Sequence, residues 1–124
     1  MGGMKKILVA EDDLVSQQVL AMRLEINDFE VVAVADGEEA LNKAKQEKPD
    51  LVILDLMLPK ISGFEVCRML KFDDDCKNIP IIILSSLSSQ QEREKAIQNG
   101  ADEYFIKPFD LDLLIKKIRD MITA

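Results

Sequence analysis

The chain of 124 residues has no histidine, no tryptophan and only two cysteines. Cys67 and Cys76 form no CxxC pair, so the chain lacks the ligand pattern of a zinc site. Cys67 falls in a helical pattern as a small core candidate, and Cys76 falls in a polar loop. Both are expected as reduced thiols of a cytoplasmic protein. There is no excess of positive charge. The formal net charge is −7, which disfavours nonspecific binding to nucleic acid or to an anionic membrane. No apolar run approaches the roughly 18 residues of a membrane span, and the N-terminus has no signal-peptide pattern. No GxxxxGK[ST] or GxGxxG segment offers a cradle for a nucleotide. Linkers, internal repeats and low-complexity tracts are also missing. What remains has the size and composition of one globular domain. Met1-Gly2-Gly3-Met4 reads as a leader or expression remnant (residues 1–4), with the domain over 5–124.

One stretch organises the chain. Leu51-Val52-Ile53-Leu54-Asp55-Leu56-Met57-Leu58-Pro59 contains a single charge, Asp55, in an apolar run. Burying an unpaired carboxylate costs several kcal/mol, so Asp55 either reaches solvent in the following loop or meets partners from elsewhere in the chain.

Five short apolar runs alternate with segments of helical period. The runs are 7–10, 30–35, 51–54, 80–84 and 103–106. In the first helical segment Val15, Val19, Met22 and Ile26 fall on one face. In the second, Ala40, Leu41 and Ala44 point inward and Lys48-Pro49 stops the helix. The third runs from about Gly63 to Lys71, with Phe64, Cys67 and Leu70 as core candidates. Ser89 and Glu92 make a capping box for the fourth, whose apolar anchors are Ala96 and Ile97. Asp110 caps the fifth, where Leu111, Leu114, Ile115, Ile118 and Met121 recur at helical spacing. Alternation of this kind predicts an α/β fold with a parallel sheet covered on both faces. For five strands the expected form is a flavodoxin-like, doubly wound (βα)5 sheet of order 2-1-3-4-5. Its ligands bind at the C-terminal strand ends, at the switch point between strands one and three.

Polar residues stand at those ends. Glu11 and Asp12 follow the first strand, Asp55 ends the third, Ser85 follows Leu84, and Lys107 follows Ile106. Three carboxylates brought together raise one another's pKa unless a cation offsets them. An all-oxygen donor set selects a hard ion, Mg²⁺ in a cell. A hydroxyl and an ammonium beside it can each engage one phosphoryl oxygen. The set suits phosphoryl transfer onto an aspartate, from a donor presented by another molecule. Each residue alone also has an ordinary reading. Glu11-Asp12 can cap a helix, Ser85 can serve a turn, and Lys107 can be a solvated lysine beside a proline.

The segments from Lys6 to Asp13, from Leu54 to Pro59 with Gly63, from Ile83 to Ser86 and from Gly100 to Phe109 resemble the receiver domains of two-component response regulators. The resemblance covers about Lys5 to Ile122. It implies that Asp55 accepts a phosphoryl group from a histidine kinase or a histidine phosphotransfer protein. It implies that Asp12 ligates Mg²⁺ (Mn²⁺ being an alternative), Glu11 does so through water, and Asp55 and the Met57 backbone carbonyl complete the protein ligands. Ser85 and Lys107 would contact the phosphoryl oxygens. Tyr104 would turn inward as Ser85 moves, and Lys107-Pro108 would be a cis peptide. The fourth helix, fifth strand and fifth helix would form the switching surface, which would act on a partner or an output domain and could carry a homodimer. The domain would be a phosphoacceptor rather than an enzyme, promoting its own phosphorylation and dephosphorylation. It would bind neither nucleic acid nor membrane directly. Leu14, Val15, Pro108 and Phe109 would form a docking patch for the phosphodonor. The departures are small: Glu11 for aspartate, Ser86 for alanine, and Ser62 where aspartate is frequent.

Three rivals remain at this stage. A pseudo-receiver would lack one of the acids or the lysine. A haloacid-dehalogenase-type phosphatase would need an acid where Met57 stands. A flavodoxin-like cofactor binder would meet a repulsive acidic rim.

Overall fold

The computed structural model describes residues 3–122. The leader expected at residues 1–4 therefore falls partly outside the described residues. Ten elements alternate: β1 (Lys6–Ala10), α1 (Leu14–Ile26), β2 (Glu30–Val34), α2 (Gly37–Glu47), β3 (Leu51–Asp55), α3 (Gly63–Lys71), β4 (Ile81–Ser85), α4 (Gln90–Gln98), β5 (Glu103–Ile106) and α5 (Leu111–Ile122). All strand pairs are parallel, in the order β2-β1-β3-β4-β5. The flavodoxin-like expectation holds in both element order and strand order.

The sheet divides the core in two because side chains alternate across it. Leu8, Ala10, Val52, Leu54, Ile81, Ile83 and Tyr104 pack against α2, α3 and α4. Ile7, Val9, Leu51, Ile53, Ile82 and Leu84 pack against α1 and α5. The central strands β3 and β4 are buried along their whole length, whereas the edge strands β2 and β5 are only partly covered. No helix among the described residues is long and apolar enough to cross a membrane.

Helix starts follow their capping residues. Asp13, Asp36, Ser62 and Ser89 each accept a hydrogen bond from the backbone N–H three residues on, which satisfies a donor that the first turn leaves open. Asp110 Oδ1 does the same for α5 through the N–H groups of Asp112 and Leu113.

One expectation is corrected, on α4, and two positions that the pattern left open are decided. The apolar face of α1 carrying Val15, Val19, Met22 and Ile26 is turned to solvent. Leu20 and Leu24 are the buried residues of that helix. On α4, Ala96 is buried but Ile97 is 45% exposed, leaving one small side chain as its buried anchor. Cys76 is not in solvent: the turn after α3 folds it under α2, where its thiol faces the Ala44 carbonyl at 3.9 Å. Both cysteines are free and buried. Burial pushes the Cys67 thiol up to about 12, so it stays protonated at neutral pH and is a weak nucleophile.

Candidate functional site

Sheet register assembles the site. Ala10 pairs with Leu54 and Asp55 pairs with Leu84, so Glu11, one residue past β1, lies level with Asp55. Ser85 pairs with Ile106, and Lys107 follows directly. Glu11 and Asp55 project from the same face of the sheet. Ser85 has the parity of Ile83 and Tyr104 and lies on the opposite face.

The side chains meet as this placement requires. Glu11, Asp12 and Asp55 each offer a carboxylate oxygen, all within 4.8 Å of one another. Glu11, Asp55 and Ser85 are buried, while Asp12 is exposed. Lys107 Nζ donates to Asp55 Oδ2 at 2.6 Å and to Glu11 Oε1 at 2.8 Å. It partly offsets the charge of the acids. Burial works against the Lys107 ammonium, but its bonds to Asp55 and Glu11 outweigh it and hold its pKa above the usual 10.5. Burial pushes the Glu11 carboxyl above its usual value, against the lowering effect of the Lys107 bond. The cluster thus remains short of positive charge. Its three carboxylates, with no sulfur or imidazole, suit a hard divalent cation.

Local geometry holds Asp55 in place. Met57 N–H donates to Asp55 Oδ1 at 3.0 Å, and the Met57 side chain lies in solvent. Gly63 N–H donates to the Leu56 carbonyl at 2.9 Å. A Cβ on Gly63 would stand 2.5 Å from the Asp55 carbonyl oxygen. Only glycine lets the start of α3 approach the backbone of Asp55 so closely.

On the far side, Leu87 N–H donates to Ser85 Oγ at 2.9 Å. The Tyr104 hydroxyl donates to the Leu87 carbonyl at 2.8 Å. Tyr104 already stands inward, 4% exposed. Arg93 of α4 reaches the Tyr104 carbonyl at 3.3 Å. The Lys107-Pro108 bond is cis.

A groove of about 310 Å³ leads to Glu11 and Lys107 between α1 and the loop after β5, with Val15, Val19, Pro108 and Phe109 among its walls. Three of the four expected docking residues line it; Leu14 lies outside, exposed on α1. Two contributors were not foreseen. Gln17 bonds the acidic turn, and Leu87 links Ser85 to Tyr104. A lone glutamine in a helix and a leucine in a loop carry no pattern that marks such roles.

Residues 7–119 match the family model of the response regulator receiver domain. "Probable transcriptional regulator ycf27" of Porphyridium aerugineum is 42% identical over 118 residues, covering 95% of this chain and 48% of that protein. The chain thus spans about half the length of the curated relatives it matches. The Francisella response regulator 1452 receiver domain superimposes with a TM-score of 0.91 at 31% identity, over 96% of this chain and 97% of that one. The receiver domain of sensor histidine kinase PA1611 from Pseudomonas aeruginosa was solved with a magnesium ion coordinated in its active site cleft. It gives a TM-score of 0.91 at 30% identity, over 98% of this chain and 100% of that one. Fold, site and relatives agree: the chain belongs to the response regulator receiver domain family.

Proposed function

We propose that Asp55 accepts a phosphoryl group from a phosphohistidine carried by a histidine kinase or a histidine phosphotransfer protein. The observation that carries this reading is the position of the Asp55 carboxylate. It ends a buried strand, bonds Lys107 at 2.6 Å, and lies within 4.8 Å of carboxylate oxygens of Glu11 and Asp12, beside the groove that Glu11 and Lys107 line. An Asp55 oxygen attacks phosphorus and forms the O–P bond. The P–N bond to the donor imidazole breaks, and its electron pair stays on that nitrogen. Chemistry of this kind needs positioning and neutralisation of phosphoryl charge rather than a strong base.

Asp12, Asp55 and the Met57 carbonyl would hold Mg²⁺ directly, and Glu11 would hold it through water. The donor set fits, being all oxygen and acidic. The ion supplies charge neutralisation to the phosphoryl oxygens. Lys107 and Ser85 contact those oxygens from the other side. Lys107 is charged and already beside Asp55, and the Ser85 hydroxyl is tethered only to Leu87 N–H among the described residues. Drawing Ser85 toward a phosphoryl group pulls Leu87, and with it the Tyr104 hydroxyl. The α4–β5–α5 surface then changes. α4 suits that role, with one buried side chain and few contacts that would resist a shift. The surface would act on an output domain, a partner or a second copy of the chain. The domain, taken as residues 5–124, would be cytoplasmic and a phosphoacceptor rather than an enzyme with a released product.

The test uses acetyl phosphate with Mg²⁺ followed by intact-protein mass measurement. The wild-type chain is expected to gain one phosphoryl group that survives acid and is lost in base, and Asp55→Asn is expected to gain none. An unmodified wild type, or an equal adduct on Asp55→Asn, overturns the reading.

A further inference from the structure

We propose that Gln17 is a positioning residue for the metal-binding turn, fixing the Glu11–Asp12 peptide through its side-chain amide. The inference rests on the reading of Asp12 as a metal ligand. Gln17 lies one turn into α1, on the side facing the sheet. Its Nε2 donates to the Val34 carbonyl at 2.7 Å and to the Glu11 carbonyl at 3.1 Å. A primary amide has two N–H donors, and both are used here. The Val34 carbonyl also accepts from Glu11 N–H at 3.1 Å. Glu11 is thus held at its N–H by β2 and at its carbonyl by α1.

The carbonyl is the telling contact. Glu11 lies one residue past the end of β1, where the ladder no longer supplies a donor. Its C=O belongs to the same planar unit as the N–H and Cα of Asp12. Holding that plane holds the N and Cα atoms of Asp12, from which its side chain departs. Among the described residues no hydrogen bond or ion pair engages the Asp12 carboxylate itself. Its placement therefore depends on the backbone that carries it, and Gln17 holds the Glu11 carbonyl of that backbone. Glu11 and Asp13 are anchored separately: Asp13 N–H bonds the Glu11 carboxylate, and the Asp13 carboxylate caps α1 through Ser16. Asp12 is the member of the turn left for Gln17 to position. Groups that orient metal ligands are worth roughly 10- to 100-fold in metal affinity.

The test is direct titration of Mg²⁺ by calorimetry and by backbone amide shifts, without phosphorylation. It compares wild type with Gln17→Met, which keeps the length and loses the donors, and with Gln17→Glu, which keeps the shape but only accepts and adds a negative charge. Positioning predicts weaker Mg²⁺ binding in both, on the order of tenfold, while Gln18→Met on the exposed side of α1 matches wild type. A purely structural tie predicts a lower urea midpoint with unchanged Mg²⁺ affinity, and bulk electrostatics predicts tighter binding by Gln17→Glu. Either result overturns the inference while leaving the metal reading intact. A wild type that binds no Mg²⁺ overturns the metal reading, and the inference with it.

Discussion

Tyr104 and Leu87 are joined by a hydrogen bond from the phenol hydroxyl to the backbone carbonyl at 2.8 Å. Leu87 N–H bonds Ser85 Oγ at 2.9 Å, so one loop residue links the hydroxyl at the end of β4 to the aromatic ring of β5. Tyr104→Phe keeps the buried ring and removes the donor. Its expected cost is about 1 kcal/mol, read as a lower urea midpoint, with faster amide exchange over residues 86–89. Unchanged exchange in that loop would show that the bond does not restrain it.

Lys107→Met removes the cation lying between Glu11 and Asp55. Burial already raises the Glu11 carboxyl, and the Lys107 bond opposes that rise. The variant therefore raises it further. A carboxyl with a folded pKa above its unfolded value loses stability as pH climbs through the folded pKa. The deficit of the variant relative to wild type is expected to be larger near about pH 8 than near about pH 5, and to shrink when Mg²⁺ is added at the higher pH. Urea unfolding under these conditions checks it; a deficit independent of both pH and Mg²⁺ contradicts it.

Asp36 caps α2. The bond from Glu39 N–H, aided by nearby Lys60, holds its carboxyl below the ordinary 3.8. A depressed carboxyl stabilises the fold above the unfolded pKa, and the contribution disappears as pH falls through the folded value. Asp36→Asn still caps but cannot ionise. Wild type and variant should have similar urea midpoints near neutrality. Below 3.8 the wild type should lose stability more steeply. Parallel curves through that range would assign the acid sensitivity to other groups.

The two faces of α1 should respond differently. Leu24 is fully buried, and Leu24→Ala is expected to cost about 2–5 kcal/mol. Met22 is 60% exposed, so Met22→Lys is expected to stay within about 0.5 kcal/mol of wild type. Thermal or urea unfolding of the two variants decides the orientation of the helix. A reversed ranking would mean that the Val15–Met22–Ile26 face is the packed one.

Much of the architecture was legible in the sequence. Short apolar runs alternating with helical periods imply strands and helices in turn, and doubly buried strands imply a parallel sheet. Ser89 and Asp110 announce helix starts because their side chains do locally what the first turn cannot. Asp55 stood out as a charge in an apolar strand, and the polar residues at the other strand ends pointed to the same rim. Where local pattern allowed two answers, it could not choose. α1 has an apolar stripe on each side, and periodicity does not say which one meets the sheet. Ile97 continues a helical pattern, yet α4 buries only its small neighbour.

The sequence by itself determined the order of elements, the strand order favoured for them, and the residue types at the strand ends. These follow from short-range rules: alternation, capping and turn chemistry. Only the tertiary structure decided that Lys107 bridges Glu11 and Asp55, that Tyr104 stands inward on Leu87, that Cys76 is buried under α2, and that Gln17 grips the carbonyls of Glu11 and Val34. Each of these contacts joins residues from different elements. Their formation depends on sheet register and helix rotation, which no local pattern contains.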